Sequence, residues 1–357
     1  MEPPANPGFV DRRYLSPSPQ NERLPDYGRV VDLALSPTTP GLGVSELADL
    51  CSYAEDLGYR HAWLAEVAGP DAFVLAAAIA GRTEMMELGV AVVPAYTRTP
   101  AALATAALSV SDLLGGRPFR LGIGSSSEVI VTQWHGTPLA QPVQRVRETV
   151  QATKAILNGV NDYQGTLVTT RRFRPAVQGD GPIELWVAGL RPKMLAVAGA
   201  VGDGVCLNLM PPRVVPAQLA AVSAGATKEG RSLPAGFGVM ARLPVLVTDD
   251  PDTARDWLRA TFLGPYLAQP VYNNFLQWMG YQEEAQAIAS AWEAKDREGV
   301  QAAISDSLVG DLTLIGTASQ VRSRLDEYGE AGITVAAISV VSAGRFAVEQ
   351  TLRALAP

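Results

Sequence analysis

The sequence is poor in the side chains with which most enzymes carry out their own chemistry. Among 357 residues there are only two histidines, His61 and His135, and two cysteines, Cys51 and Cys206. Two histidines are too few for a His-rich metal centre, and no serine stands in the G-x-S-x-G pattern of a nucleophile elbow. We therefore predict no resident metal and expect the reactive group to come from an organic cofactor.

Long apolar runs, a basic surface and a cysteine framework are also missing. No stretch reaches the roughly 18 apolar residues of a membrane span, and the N-terminus has no cationic-then-apolar leader. The charged residues, 29 Lys and Arg against 36 Asp and Glu, give a net charge of -7, which disfavours nucleic acid. Two cysteines inside apolar runs fit a reducing compartment. These absences predict a cytoplasmic protein whose partner is a small molecule, with no nucleic acid and no membrane.

What the sequence does have is a regular alternation of short β-branched runs with helical patterns. Such alternation is typical of parallel strands joined by crossover helices, and eight strand-helix units predict an α/β fold, a closed (β/α)8 TIM barrel. A doubly wound open sheet is the alternative. The predicted strands cover residues 30–35, 61–65, 87–93, 119–123, 183–187, 204–207, 237–247 and 334–341. The predicted helices cover residues 45–57, 71–82, 100–114, 143–157, 192–201, 212–229, 252–298 and 345–355.

Three segments depart from this rhythm. Residues 1–28 contain six prolines and predict an extended arm before a barrel over residues 29–357. The polar stretch 158–174 predicts a small hairpin. A helical insertion at about 250–332 separates strands seven and eight, and its aromatic part includes Tyr272 and Trp278. Active sites of barrels lie at the C-terminal ends of the strands, so this part either covers the substrate or packs on a neighbouring subunit.

The most informative motif is the junction of a strand and a helix at residues 184–194. The strand runs through Ala188 and Gly189 into a helix that opens with Pro192. Free backbone amides and the positive end of the helix dipole favour an anionic phosphate at such a point. Arg191 and Lys193 add positive charge, although many barrels make this turn without a ligand.

Two other strand ends carry candidate side chains. At the fourth strand, Gly124 permits a close approach of backbone to a flat ligand, Ser125 supplies a hydroxyl and Glu128 is a possible acid. Tight barrel packing is an equally good reason for the glycine. At the third strand, a proline at the strand end suggests irregular backbone, which would bring Tyr96 and Arg98 to the mouth of the barrel.

Four motifs in register resemble the luciferase-like family of flavin- and deazaflavin-dependent oxidoreductases. The resemblance is closest to its actinobacterial branch, which uses coenzyme F420, and it spans residues 29 to about 345. The motifs are L-G-V-A-V-V-P-A-Y-T-R-T-P (88–100), R-L-G-I-G-S-S (120–126), W-V-A-G-L-R-P-K-M-L-A-V-A-G-A-V-G-D-G (186–204) and L-P-V-L-V-T-D-D (243–250).

The resemblance implies a cofactor ring, F420 or alternatively FMN, at the C-terminal mouth of a (β/α)8 barrel. It implies that the amides of Leu190, Arg191, Lys193 and Met194 hold the phosphate of the cofactor. It also implies that Glu66 approaches the polar edge of the ring, that Val93 and Ser125 flank the ring, and that Asn208 contacts substrate. A non-proline cis peptide in strand three would fall at Val90-Ala91 and support the ring from behind.

One departure from the family affects the expected reaction. Its sugar-phosphate dehydrogenases have a histidine after the acidic position of strand two, where this chain has Val67. Reduction of a C=C or C=N bond fits better, because hydride addition needs only a modest proton donor. The candidate donors are Glu66, Tyr96, Glu128 and His135, whereas His61 begins its strand and faces the other end of the barrel.

Three functions remain open at this point. The first is an F420-dependent reductase of a small metabolite, and the second is an FMN-dependent monooxygenase that uses reduced flavin and dioxygen. The third is a flavin-binding paralogue without catalysis. The resemblance also implies a homodimer.

Overall fold

A closed ring of eight parallel strands forms the centre of the molecule. The computed structural model describes residues 31–341 and 344–357, so the arm predicted over residues 1–28 lies outside the described residues. The ring consists of β1 (Asp32–Leu35), β2 (His61–Leu64), β3 (Glu87–Pro94), β4 (Phe119–Gly124), β7 (Ile183–Ala188), β8 (Gly204–Asn208), β9 (Gly238–Val247) and β11 (Val335–Val340). The strands pair in this order, and β11 pairs back with β1. This closure confirms the predicted barrel and excludes the open sheet.

Helices cover the outside of the ring, and each crossover places one or more of them between successive strands. Their bounds agree with the expected ones to within a few residues where the pattern is long and apolar. The helices are α1 (Val44–Asp56), α2 (Ala72–Ala80), α3 (Pro100–Leu114), α4 (Pro142–Leu157), α5 (Pro192–Val201), α6 (Val215–Lys228), α7 (Pro251–Leu258), α8 (Gly264–Leu267), α9 (Pro270–Met279), α10 (Gln282–Glu293), α11 (Arg297–Ala302), α12 (Asp306–Leu312), α13 (Ala318–Glu330) and α14 (Arg345–Ala354). Among the described residues, no helix has both the length and the apolar character needed to cross a bilayer.

Outside the ring, two short features accompany the barrel. The hairpin expected within residues 158–174 is present as β5 (Tyr163–Gln164) and β6 (Thr169–Thr170). A further strand, β10 (Leu314–Gly316), extends the sheet beside β9 and was not predicted, because three residues are too few to show a pattern. The single helical region expected over residues 252–298 is divided, since Gly280 takes a φ of 102° and ends α9.

Two tryptophans fill the interior of the barrel. Trp63 of β2 and Trp186 of β7 have ring centroids 4.9 Å apart and planes inclined by 58°. Their size requires glycine on neighbouring strands: a Cβ added to Gly89 would lie 2.4 Å from Trp63, and one added to Gly238 would lie 2.0 Å from Trp186. The barrel is therefore plugged at mid-height, and any ligand site on its axis lies above this plug, at the C-terminal ends of the strands.

Candidate active site

Seven inward-facing residues form the layer above the tryptophan plug, and they divide it into two halves. Their direction follows from the alternation along each strand, since residues two positions earlier, such as Ala34, Cys206 and Met240, belong to the interior cluster. The layer comprises Ser36, Val92, Gly124, Ala188, Asn208, Arg242 and Ser339. The side formed by β3, β4 and β7 is small and apolar, whereas the side formed by β8, β9, β11 and β1 is polar.

The apolar half owes its shape to a bulge in β3. The pairing with β4 shifts between Val90 and Val93, and the peptide bond between Ala91 and Val92 is cis. The cis bond expected at Val90-Ala91 was therefore placed one residue too early, because the motif locates the irregular strand but not the residue at which it bends. Opposite the bulge, a Cβ on Gly122 would lie 2.1 Å from the carbonyl oxygen of Val90. This glycine is thus required by close backbone packing.

The bulge also decides which valine faces the mouth. Val93 is fully buried in the layer between barrel and helices, as is Val90, while Val92 belongs with Ala188 to the interior cluster. The side chain of Val93, expected to flank the cofactor ring, is thus turned away from the mouth. A Cβ on Gly124 would lie 2.7 Å from Val92 and 3.2 Å from Ala188, so these two side chains pack directly against the backbone of Gly124. Ser125 follows this surface and is half-buried.

The turn from β7 into α5 presents backbone donors, as expected. Among the described residues, the amides of Leu190, Arg191 and Lys193 have no hydrogen-bond acceptor. The amide of Met194 is already used, since it donates to the carbonyl of Arg191 at 3.1 Å. The expected set of four donors is thereby corrected to three, because the first turn of the helix closes on its own N-cap residue.

The same turn is held in place from two sides. A Cβ on Gly189 would lie 3.0 Å from the backbone nitrogen of Leu195, so a side chain here would push the start of the helix away from the strand. Gln218 of α6 is fully buried and donates from Nε2 to the carbonyl of Leu190 at 3.1 Å. This bond fixes the peptide plane of Leu190 and hence the direction of the amide of Arg191. Sequence reasoning missed Gln218, although a polar residue on the apolar face of a helix is a usable signal.

The polar half contains a cation that sequence reasoning also missed. Arg242 of β9 donates from Nη2 to Ser339 at 2.9 Å and to Thr38 at 3.2 Å, and from Nε to Ser36 at 3.3 Å. All three acceptors are neutral hydroxyls, and no described Asp or Glu pairs with this guanidinium. An inward-facing positive charge without a carboxylate partner favours an anionic group beside it.

Asn208 and Tyr272, both expected at the substrate, are brought together. Asn208 donates from Nδ2 to the hydroxyl of Tyr272 at 3.1 Å, while its Oδ1 is buried without a partner among the described residues. Burial holds the pKa of Tyr272 well above its usual value, so this hydroxyl keeps its proton at neutral pH. Trp278, expected beside them, lies on another side of α9 and stacks on Phe275 at 5.8 Å.

Glu66 lies at the end of β2, but it is engaged by an arginine. Arg98 donates to both carboxylate oxygens of Glu66, at 3.1 and 2.9 Å, and also contacts Asp71. The guanidinium lies 4.8 Å from the ring centroid of Phe73, which adds a cation-π contact. Both carboxylate oxygens of Glu66 therefore already accept hydrogen bonds within this ion pair.

The other candidate proton donors are dispersed. Tyr96 donates its hydroxyl proton to the carbonyl of Ala140 at 2.6 Å, whereas Glu128 and His135 are exposed at the two ends of a π-helical turn. His61 lies, as expected, at the opposite end of the barrel, where Nδ1 is 3.3 Å from Glu87. The structure therefore does not gather the four donors around one point.

Comparison with known proteins identifies the family of this chain. The family model of the luciferase-like monooxygenases matches residues 30–335. The chain belongs to this family. The resemblance seen in the four motifs is thereby confirmed, and so are the barrel and an oxidoreductase as the class of enzyme.

Relatives of this luciferase-like chain include enzymes of several reactions. A 5,10-methylenetetrahydromethanopterin reductase of Archaeoglobus fulgidus is 28% identical over 304 residues, which are 83% of this chain and 89% of the relative. An F420-dependent glucose-6-phosphate dehydrogenase of Nocardia farcinica is 27% identical over 245 residues, covering 63% of this chain and 71% of the relative. The solved structure of a coenzyme F420-dependent tetrahydromethanopterin reductase of Methanopyrus kandleri superposes with a TM-score of 0.76 at 21% identity, covering 91% of this chain and 97% of the other.

Proposed function

We propose that this luciferase-like protein is a coenzyme F420-dependent oxidoreductase that reduces a C=C or C=N bond of a small, anionic metabolite. The dependence of a curated relative on F420 supports the cofactor. The absence of a histidine after Glu66, where Val67 stands, supports reduction over the dehydrogenation of sugar phosphates.

The observation that carries the proposal is the turn between β7 and α5. Three amides at the entry to a ten-residue helix have no acceptor in the part of the chain that the structure describes, and this arrangement suits the phosphate of a nucleotide-like cofactor. The close approach that Gly189 permits keeps these donors at the edge of the barrel mouth. The residues present therefore fit a phosphate-bearing cofactor, which the amides of Leu190, Arg191 and Lys193 would hold.

The apolar half of the mouth fits the ring of such a cofactor. Val92, Gly124 and Ala188 form a surface without polar side chains, and close packing of Val92 requires glycine at position 124. A planar aromatic ring packs well on a flat apolar surface. When bound and reduced, the deazaflavin supplies a hydride for the reaction.

The polar half fits the substrate. Arg242 would hold a negatively charged group and so orient the substrate, which supplies much of the catalysis in hydride transfer. Asn208, whose Oδ1 is unpartnered among the described residues, and Tyr272, which retains its proton, would complete the contacts. The bonds of Glu66 and Tyr96 within the protein, together with the exposed positions of Glu128 and His135, favour solvent as the source of the proton.

The cofactor is tested by titrating the purified protein with F420 and, separately, with FMN, and measuring each dissociation constant. We expect F420 to bind at micromolar concentrations and FMN far more weakly. Tighter binding of FMN overturns the proposal in favour of a flavin-dependent monooxygenase, and F420 binding without turnover of any unsaturated substrate favours a non-catalytic paralogue.

A matched pair of glycine variants tests the phosphate site itself. Gly189→Ala places a methyl group against Leu195 and shifts the start of α5, so we expect it to weaken F420 binding about tenfold or more. Gly310→Ala adds the same methyl group in open space on α12 and serves as the control. Equal affinities in the two variants would contradict the assigned phosphate site.

A homodimer is also part of the proposal. Val74 of α2 is 57% exposed, Met85 in the loop between α2 and β3 is 58% exposed, and Phe346 of α14 is 78% exposed. Large apolar side chains exposed on the helices and loops that flank a barrel suit a contact between two copies. Size-exclusion chromatography with light scattering measures the molar mass of the protein in solution. A monomeric mass at all concentrations excludes the dimer.

A further inference from the structure

A buried amide side chain supports the turn between β7 and α5 from the side of α6. Gln218 of α6 has no exposed surface, and its Nε2 donates to the carbonyl of Leu190 at 3.1 Å. Its Oε1 is also buried and has no partner among the described residues. A buried amide that uses only part of its bonding capacity is unfavourable, and an apolar side chain of similar size would avoid that cost. Stability alone therefore does not explain a glutamine at this position.

Two glycines bring α6 close enough to α5 for this bond to form. A Cβ on Gly199 of α5 would lie 1.8 Å from the carbonyl oxygen of Val222, and one on Gly225 of α6 would lie 2.0 Å from that of Ala196. The two helices therefore pack backbone against backbone. Gln218 precedes Val222 by four residues and Gly225 by seven, so it lies on the same face of α6 and is directed toward α5.

The bond from Gln218 decides which way the peptide between Leu190 and Arg191 faces. This peptide is trans, since it is not among the cis bonds of the described residues. In a trans peptide the C=O and N–H bonds point in nearly opposite directions. Because the carbonyl of Leu190 is turned toward α6, the amide of Arg191 is turned away from α6, where it has no acceptor among the described residues.

The opposite orientation of this peptide would work against an anion. It would bring the carbonyl oxygen of Leu190, with its partial negative charge, to the side where the amide of Arg191 now lies. The two orientations differ in what satisfies the carbonyl, because a buried carbonyl needs a hydrogen-bond donor. Gln218 supplies that donor on the α6 side. Its removal takes away the preference for the orientation that presents an amide to an anion.

We propose that Gln218 is a positioning residue of the cofactor site. Its bond to Leu190 holds the peptide in the orientation that presents the amide of Arg191 to the phosphate of the cofactor. The proposal rests on the proposed function, which places that phosphate at this turn. The fully buried side chain of Gln218 acts through the backbone of the turn and not by contact with the cofactor.

The variant Gln218→Met tests this role, because methionine has a similar length but cannot donate a hydrogen bond. We expect its dissociation constant for F420 to be about tenfold or more above that of the wild type. Isothermal titration calorimetry on the full-length protein measures this constant, and urea unfolding of the same sample measures its stability. An unchanged dissociation constant in Gln218→Met overturns the proposal.

A matched variant separates positioning from stability. Asn273 of α9 is also buried, and its Nδ2 donates to the backbone carbonyl of Ala285 at 2.7 Å, which is a bond of the same kind far along the chain from the turn. Asn273→Leu should therefore lower the free energy of unfolding, as Gln218→Met does, but leave the dissociation constant of F420 unchanged. A rise in the dissociation constant that is equal in both variants overturns the proposal.

The variant Gln218→Glu adds a readout that depends on pH. The introduced carboxyl group can donate to the carbonyl of Leu190 only while it is protonated, and burial favours the protonated form. Relative to the wild type, its affinity for F420 should be nearly normal at about pH 5 and fall as the pH rises toward about 9. The relative affinity of Gln218→Met should stay constant over this range. A pH dependence that is the same in both variants overturns the proposal.

These outcomes are distinct from a failure of the proposed function. If the wild type binds neither F420 nor FMN, the cofactor assignment fails and the role of Gln218 fails with it. If the wild type binds F420 and Gln218→Met binds it equally well, only the role of Gln218 fails. If the wild type binds FMN alone, the F420 assignment fails, and the same variants titrated with FMN decide the role of Gln218.

Discussion

Arg98 binds both carboxylate oxygens of Glu66, at 3.1 and 2.9 Å, and thereby joins the end of β2 to the loop that follows β3. The side chains of Arg98 and Glu66 are only 24% and 16% exposed, so the pair is shielded from most of the solvent. A two-point bond of this kind fixes the orientation of both side chains. It gives Glu66 a structural role at the barrel mouth, while the role of proton donor that the sequence suggested stays a prediction.

The first prediction separates these two roles of Glu66. In Glu66→Gln one guanidinium donor faces an amide NH2, so we expect the free energy of unfolding to fall by about 1–2 kcal/mol. We expect kcat to change only a few-fold, whereas loss of a proton donor typically lowers kcat by about 100-fold or more. Urea unfolding and steady-state kinetics measure the two effects. A fall in kcat of that size at unchanged stability would restore Glu66 as the donor.

The second prediction concerns pH and the lower end of the barrel. His61 and Arg120 lower the pKa of Glu87 from 4.5 to about 2, His61 having the larger effect. Because the pKa is depressed in the folded state, this carboxylate stabilises the protein above about pH 4.5, and the contribution is lost as the pH falls toward 2. Glu87→Gln should therefore cost about 1–3 kcal/mol at pH 7.

Urea unfolding of the wild type and Glu87→Gln across this pH range measures the contribution. The difference between the two should shrink as the pH falls from about 4.5 toward 2. Glu293→Gln, which removes an exposed carboxylate, should show little difference at any pH. A difference for Glu87→Gln that stays constant with pH would contradict the assignment.

The third prediction tests the plug of the barrel. Gly238→Ala puts a methyl group 2.0 Å from the ring of Trp186, and overpacking of this kind typically costs about 1–3 kcal/mol. Trp186→Phe removes part of that ring, so the double variant should recover some of the stability that the two single variants lose. Denaturant unfolding of the three variants gives the coupling free energy between the two positions. If the two single changes in the free energy of unfolding simply add up in the double variant, the two side chains do not contact each other in the interior.

Much of the fold followed from the sequence because its signals are local. The run from β7 through Gly189 to Pro192 predicted α5, which is present, and a phosphate site, which stays a prediction. Three of the four expected amides, those of Leu190, Arg191 and Lys193, have no acceptor among the described residues. β10 escaped prediction because it takes its partner from distant β9, and its three residues carry no period. The predicted position of the cis bond was wrong by one residue, because the position of a bulge depends on the opposing strand.

The side chains of the site were harder to predict than its backbone. Arg242 stands in a strand that is apolar on both faces, so the sequence does not say whether it points into the barrel or out of it. Only ring closure shows that it points at Ser36 and Ser339.

The last prediction addresses the charge at the mouth. If Arg242 binds an anionic substrate group, then Arg242→Gln should raise KM by about tenfold or more, because a hydrogen bond to a charged group is lost. The measurement uses pairs of unsaturated compounds that differ only in a carboxylate or its amide. The variant should lose its preference for the acid, while the dissociation constant of F420 stays the same, since the turn at Leu190 is untouched. An equal rise in KM for the acid and the amide would show that Arg242 supports the barrel and does not select the substrate.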